Sequence, residues 1–129
     1  MFRIMPLADQ PTTPMSEKGR GEQIKFVNPA MGTEKIDVHL NRLVPGGPNG
    51  KIHKHSQADN VYIVRKGQGR LIVEGTTYTI KVDDVIYIPA GMKHSLSNIS
   101  DEVFEIFEIY APSGSHFDFL IDPADNPGM

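Results

Sequence analysis

Two histidines separated by one residue, His53 and His55, begin a strand-like run in this 129-residue chain. Every second side chain of an extended strand points to the same face, so both imidazoles project from one face, about 7 Å apart. Neutral imidazole is a common ligand for divalent first-row metals. The pair can therefore reach one ion, although a His-x-His spacing alone is a weak motif.

A third histidine, His94, follows a turn that contains Pro89 and Gly91. Proline and glycine shape a tight corner between strands, and His94 then opens the next strand-like run. A histidine at the start of a facing strand can converge with the first two. Because the chain has no cysteine, a metal site must use nitrogen and oxygen ligands, and disulfides are excluded.

Short extended segments must position these histidines. From Ile24 onward apolar residues recur at every second position, most plainly between Ile36 and Asn41, which is the period of a half-buried strand. Turn residues separate these runs, and no window has helical spacing, so we predict an all-β sandwich, jelly roll or barrel with little helix. The further strand-like runs are Asn60–Val64, Leu71–Glu74, Thr77–Lys81, Val85–Ile88, His94–Asn98 and Val103–Tyr110.

Length and charge limit the organisation and the partners of the chain. We predict one domain: an N-terminal arm at residues 1–21, a barrel at 22–120 and a C-terminal tail at 121–129. A formal charge of -3 without a long run of one sign argues against a nucleic-acid partner. Purely apolar runs are far shorter than a membrane span needs, and no signal peptide is recognisable, so we predict a cytoplasmic protein without membrane contact.

Two segments around the histidines resemble the two sequence motifs of the cupin superfamily. The first is Gly47-x5-His53-x-His55-x4-Asn60-x6-Gly67, and the second is Asp83-x5-Pro89-x-Gly91-x2-His94-x3-Asn98. The resemblance covers roughly residues 35–110 and implies a double-stranded β-helix, a jelly-roll-like barrel. Cupins use two histidines and a glutamate from the first motif and a histidine from the second to bind one divalent metal, such as Fe, Mn, Ni, Zn or Cu. The corresponding positions here are His53, His55, Asn60 and His94.

This chain departs from the family pattern at Asn60, where cupins have glutamate, and at Asp83, where they have glycine. An amide oxygen brings no charge, so a divalent ion would keep about +2 net, which weakens binding and strengthens its Lewis acidity. The neighbouring carboxylate, Asp59, is directed to the opposite face by strand alternation. We rank Asn60 above Asp59 as the fourth ligand; water could also fill that position, with Asn60 hydrogen-bonded to a histidine.

Three further residues are candidates for catalysis. Tyr62 has the parity of Asn60 and should point into the barrel, where its phenol could orient a substrate or simply pack. Glu105 and Glu108 have opposite parity on one strand, so only one of them faces the pocket. His39 and His116 are expected at the surface or an interface and not among the ligands.

The resemblance, together with this ligand set, favours a metal-dependent enzyme that acts on a small oxygen-rich metabolite: a carboxylate, a sugar derivative or a hydroxy-ketone. It leaves oxygenase, isomerase, decarboxylase and lyase chemistry open. The alternative is a non-catalytic cupin that binds or senses a metal or small molecule. We also predict a homodimer, because the strand at Ile24–Val27 has too few contacts of its own and could pair with a sheet edge of a second subunit.

Overall fold

A computed structural model describes residues 2–128. In this part of the chain, strands account for 45% of the residues and helical turns for 9%, which confirms the all-β prediction. Short 3-10 turns lie at Leu7–Asp9, Pro29–Met31, Gly114–His116 and Pro123–Asp125. The strands are β1 (Thr13–Pro14), β2 (Gly21–Val27), β3 (Asp37–Leu43), β4 (His53–Lys54), β5 (Asp59–Lys66), β6 (Gln68–Val73), β7 (Thr76–Lys81), β8 (Val85–Ile88), β9 (His94–Asn98), β10 (Phe104–Ala111) and β11 (Leu120–Ile121).

The strands form two sheets with antiparallel pairing throughout. One sheet has the order β1-β2-β3-β10-β5-β8, and the other has the order β11-β4-β9-β6-β7. Strands β5 and β6 are neighbours in sequence but belong to different sheets, as do β7 and β8. The chain therefore passes repeatedly between the sheets, and residues from distant parts of the sequence meet in the space between them.

The interior between the sheets is apolar at one end and polar at the other. Along β10 the inward side chains change from Phe104 and Ile106, which are fully buried in the core, to Glu108, which lines a cavity. Along β5 they change from Val64 in the core to Asn60 in the polar region. Because a polar group can be buried at low cost only when it is hydrogen-bonded, the polar end needs a dense network or a ligand.

Strand β3 reverses one expectation from the sequence. The polar members of its alternation, Asp37, His39 and Asn41, are 7%, 7% and 5% exposed, and the last two line the cavity. The prediction of a surface or interface position for His39 was therefore wrong. The two-residue period was read correctly, but the polar face points into the barrel.

The pairing of strand β2 removes the reason for which the sequence predicted a homodimer. Strand β2 pairs with β3 of its own chain over Gly21–Val27, and Ile24 is only 1% exposed. This strand therefore does not need a second subunit to stay ordered. The homodimer itself stays a prediction.

The C-terminal residues are held against the barrel, although the sequence suggested a tail at 121–129. Strand β11 pairs with β4, placing Ile121 opposite His53. The Asn126 side chain accepts from the Ile52 amide at 2.8 Å and donates to its carbonyl at 3.0 Å. Among residues 2–128, no helix is long and apolar enough to cross a membrane.

Candidate metal centre

Strands β4 and β9 bring the three predicted histidines together. His53 lies opposite His94 in the β4–β9 register, and their ring centroids are 4.3 Å apart. One ring nitrogen from each of His53, His55 and His94 lies within 4.8 Å of the other two. His55 and His94 are 3% and 1% exposed, so the cluster is largely shielded from bulk water.

The hydrogen bonds of the histidines fix which ring nitrogens face each other. In each ring Nδ1 donates to a backbone carbonyl, which can only accept, so the Nε2 lone pair is available to a ligand. Within residues 2–128, the buried Nε2 atoms of His55 and His94 have no hydrogen-bond partner. Three converging imidazoles with their outer nitrogens tied back fit a divalent metal ion. The bonds run from His53 to Lys51 O (2.7 Å), from His55 to Asp118 O (2.6 Å) and from His94 to Met92 O (2.9 Å).

Burial and the neighbouring imidazoles lower the pKa of His53 and of His94. The pKa of His53 is lowered to about 3, mainly by burial. The neighbouring His94 also lowers this pKa, and the hydrogen bond to the Lys51 carbonyl opposes the decrease. Burial is also the main reason why the pKa of His94 is lowered. Both rings are therefore uncharged at neutral pH, the form in which imidazole binds a metal.

Asn60 and Asp59 point in opposite directions. Asp59 is exposed and accepts from the Ala90 amide at 2.9 Å. Asn60 is 1% exposed; its Nδ2 donates to Glu108 Oε2 at 2.9 Å, and its Oδ1 is buried without a partner among the described residues. Because a carboxylate can only accept, this bond fixes the orientation of the amide and frees Oδ1, the atom that could bind a metal.

Glu108 sits at the centre of a buried hydrogen-bond network. Its Oε1 accepts from His39 Nε2 at 3.0 Å and from Asn41 Nδ2 at 2.9 Å, while His39 Nδ1 donates to Asp37 at 2.8 Å. Burial would raise the pKa of Glu108, but the hydrogen bond and the charge of His39 outweigh it and lower the pKa to about 2. Burial would likewise lower the pKa of His39, yet Asp37 and Glu108 raise it to about 9. Glu108 is thus an anion beside a cation at neutral pH.

The other two candidates for catalysis lie on different sides of the barrel wall. Glu105 does not line the cavity; it is 4% exposed and accepts from Arg42 at 2.7 Å and from Arg65 at 2.5 Å. Tyr62 lines the cavity and is 3% exposed. Burial raises the pKa of its phenol well above the ordinary value, so the hydroxyl stays protonated.

The cavity beside the histidines has a volume of about 460 Å³. Its wall includes residues that the sequence analysis missed: Arg20 in the N-terminal arm, and Phe117 and Phe119 near the C-terminus. Phe119 stacks on His53 with centroids 3.9 Å apart, and Phe117 packs on His55 at 4.6 Å. The aromatic character of the stretch after residue 116 was the available signal, but no periodicity linked it to the histidines.

Fold and site together define a double-stranded β-helix with a histidine cluster in its polar interior. Residues 39–110 match the Cupin_2 family, described as a cupin domain, and the chain belongs to this family. The resemblance seen in the sequence is thereby confirmed.

Individual relatives are distant. An uncharacterized protein of Methanocaldococcus jannaschii is 30% identical over 76 residues, which are 59% of this chain and 61% of that protein. The chain thus spans less than two thirds of this relative. An oxalate-binding protein of Thermotoga maritima is 24% identical over 92 residues, 71% of this chain and 76% of that protein. Among solved structures, the polyketide cyclase RemF of Streptomyces resistomycificus has a TM-score of 0.79 at 16% identity, covering 97% of this chain and 89% of that one.

Proposed function

We propose that the protein binds one divalent metal ion through His53, His55 and His94 and acts as an enzyme on a small anionic, oxygen-rich metabolite. The observation that carries this proposal is the convergence of three imidazoles whose Nδ1 atoms all donate to backbone carbonyls. Asn60 Oδ1 is the proposed fourth ligand, because it is buried and has no partner in the described part of the chain. The ion would be Fe, Mn, Ni, Zn or Cu, which accept nitrogen ligands.

When bound, the metal would supply Lewis acidity to a ligand oxygen at the positions left open by the protein. The chain's own residues would set the rest of the environment. Glu108 accepts from Asn60 Nδ2 and thereby polarises the amide, which makes Oδ1 more negative. Tyr62 presents a neutral hydroxyl at the cavity wall, which can donate a hydrogen bond to a substrate oxygen.

An unpaired cationic donor in the cavity wall supports an anionic ligand. Arg20 and Lys51 line the cavity together with the acidic Glu17 and Glu108, and Arg20 Nε is buried without a partner in the described residues. Its Nη2 donates to Leu96 O at 2.6 Å, and Glu17 lies 3.8 Å from its Nη1. A carboxylate would relieve this unpaired donor and match the guanidinium geometry. The name of the Thermotoga maritima relative, an oxalate-binding protein, points to the same ligand class.

One observation favours a second candidate, a non-catalytic cupin that binds or senses its ligand. Glu108 already accepts three hydrogen bonds, and its pKa of about 2 makes it a weak base. Tyr62 is then the remaining proton-transfer candidate among Tyr62, Glu105 and Glu108. The two candidates differ in whether a bound ligand is converted.

Elemental analysis of protein purified without a chelator or a nickel column tests the metal. We expect about one ion per chain in the wild type and none in His53→Ala or His94→Ala. His116→Ala is the matched control, because His116 is exposed and lies outside the cluster. Wild-type metal content in both cluster variants would refute the site.

Conversion is tested separately with the metal-loaded protein and a panel of carboxylates, sugar acids and hydroxy-ketones followed by NMR. Turnover of a bound compound that is lost in Tyr62→Phe supports the enzyme. Saturable binding of a compound without any change in its spectrum over hours supports the sensor.

A further inference from the structure

The three histidines differ in where their Nδ1 acceptors come from. His53 and His94 donate to carbonyls two residues earlier in the chain, at Lys51 and Met92, so the adjacent backbone sets their orientation. His55 donates to Asp118 O, which is 63 residues away. The orientation of His55 therefore depends on a segment outside the matched cupin region at 39–110.

This segment, residues 117–121, is here called the C-terminal strap. Its alternating side chains Phe117, Phe119 and Ile121 all line the cavity. The two aromatic rings pack on His55 and His53, and β11 at its end pairs with β4. The strap thus covers both histidines of the first motif from one side.

Asp118 connects the strap to the loop that follows β4. Its Oδ1 accepts from the Ser56 amide at 2.7 Å, and its Oδ2 accepts from Ser56 Oγ. The residue next to His55 therefore holds the side chain of Asp118, while the carbonyl of Asp118 holds His55. This closed ring of contacts fixes the strap carbonyl relative to the imidazole.

We propose that Asp118 is a positioning residue for the metal centre, which couples docking of the C-terminal strap to metal binding at His55. The inference rests on the proposed metal site. Removal of the carboxylate frees the strap carbonyl, and the His55 ring then loses the acceptor that selects its tautomer and direction. Because coupling between two equilibria is reciprocal, metal binding in turn stabilises the docked strap.

Two substitutions of Asp118 distinguish a positioning role from an effect of its negative charge on metal affinity. Asp118→Ala removes both acceptor oxygens, whereas Asp118→Asn keeps one acceptor for the Ser56 amide but removes the charge. Asp101→Ala is the matched control, since it removes a carboxylate from an exposed turn away from the cavity. The affinity for Co²⁺ is measured by competition with a chelator, and the Co²⁺ absorption spectrum reports the ligand geometry.

We expect Asp118→Ala to weaken Co²⁺ binding by about 10- to 100-fold and to alter the spectrum, as for other residues that orient a metal-binding histidine. Asp118→Asn and Asp101→Ala should stay within about twofold of the wild type. An equal loss in Asp118→Ala and Asp118→Asn would indicate a charge effect and overturn the positioning role. Unchanged affinity in Asp118→Ala would also overturn it.

Hydrogen exchange of the wild-type chain gives a test that does not depend on a variant folding. Co²⁺ should slow amide exchange in residues 117–121 of the wild-type chain. Exchange in the strap that is the same with and without bound Co²⁺ would refute the coupling. A wild-type chain that binds no Co²⁺ would refute both this inference and the proposed metal site, whereas binding without strap protection would refute only the inference.

Discussion

At position 60 the cupin motif has glutamate and this chain has asparagine, whose Nδ2 donates to Glu108 Oε2. A carboxylate charge is thus still present, one hydrogen bond away from the side chain at position 60. A carboxylate that accepts from an amide makes the amide oxygen more negative, because hydrogen bonds in a chain polarise each other. The structure therefore offers a reason why the loss of the glutamate need not abolish metal affinity.

Replacement of Glu108 tests this explanation. Glu108→Gln should weaken Co²⁺ binding by about tenfold or more, because it removes the negative charge that accepts from Asn60. Replacing a residue that hydrogen-bonds to a metal ligand typically lowers the metal affinity by about 10- to 100-fold. Glu105→Gln is a close control: it also removes a buried carboxylate on β10, one that pairs with Arg42 and Arg65 on the other side of the wall. Chelator competition on both variants measures the difference, and equal affinities would refute a role of Glu108 in metal binding.

At the scale of single residues, the sequence predicted the histidines because a two-residue strand period and the motif spacing fix their positions. It could not decide between Glu105 and Glu108. Their opposite parity was clear, but alternation alone does not state which face of β10 is covered, and the structure turns Phe104, Ile106 and Glu108 inward. Asp118 was beyond prediction because its role comes from a contact across 63 residues.

At the scale of elements, the strands were predicted well and the chain termini poorly. Two strands, Val85–Ile88 and His94–Asn98, have the predicted bounds, since Pro, Gly and Asp mark their ends. Residues 1–21 were predicted only as an arm outside the barrel, yet Arg20 lines one side of the cavity. Gly50 permits this approach, because a Cβ there would lie 2.6 Å from Arg20 Nη2 and 2.3 Å from Leu96 O.

The N-terminal element makes a specific prediction for ligand binding. Arg20→Gln should reduce the affinity of the metal-loaded protein for oxalate by about tenfold or more, since a hydrogen bond between charged groups contributes about 1.5–3 kcal/mol. The affinity for the metal itself should not change. Arg3→Gln is the control, because Arg3 is exposed and does not line the cavity. Isothermal titration calorimetry measures each dissociation constant; absence of oxalate binding in the wild type, or an equal constant in Arg20→Gln, would contradict an anion site at Arg20.

At the scale of the whole molecule, the polar end of the barrel depends on a buried network of opposite charges. His39 lies between Asp37 on its own strand and Glu108 on β10, with Tyr110 at a centroid distance of 5.8 Å. Lys25 is opposite His39 in the β2–β3 register but is exposed. The sequence indicated a polar strand face here, but not that this face is internal, because alternation does not state which side is covered.

This network predicts how stability depends on pH. The pKa of His39 is about 9 in the folded chain and 6.5 as the reference value, so folding favours the protonated form. The stability that His39 contributes is therefore fully present below pH 6.5 and is lost as the pH rises through 9, up to roughly 3 kcal/mol at 1.36 kcal/mol per pKa unit. The difference in unfolding free energy between the wild type and His39→Gln isolates this contribution, because the titrations of His53 and His94 are common to both. Urea unfolding of metal-free protein should give a constant difference from pH 5.5 to 6.5 that shrinks by pH 9.5. A difference that stays constant or grows over that upper range would show that the Asp37–His39–Glu108 network does not hold His39 as a cation.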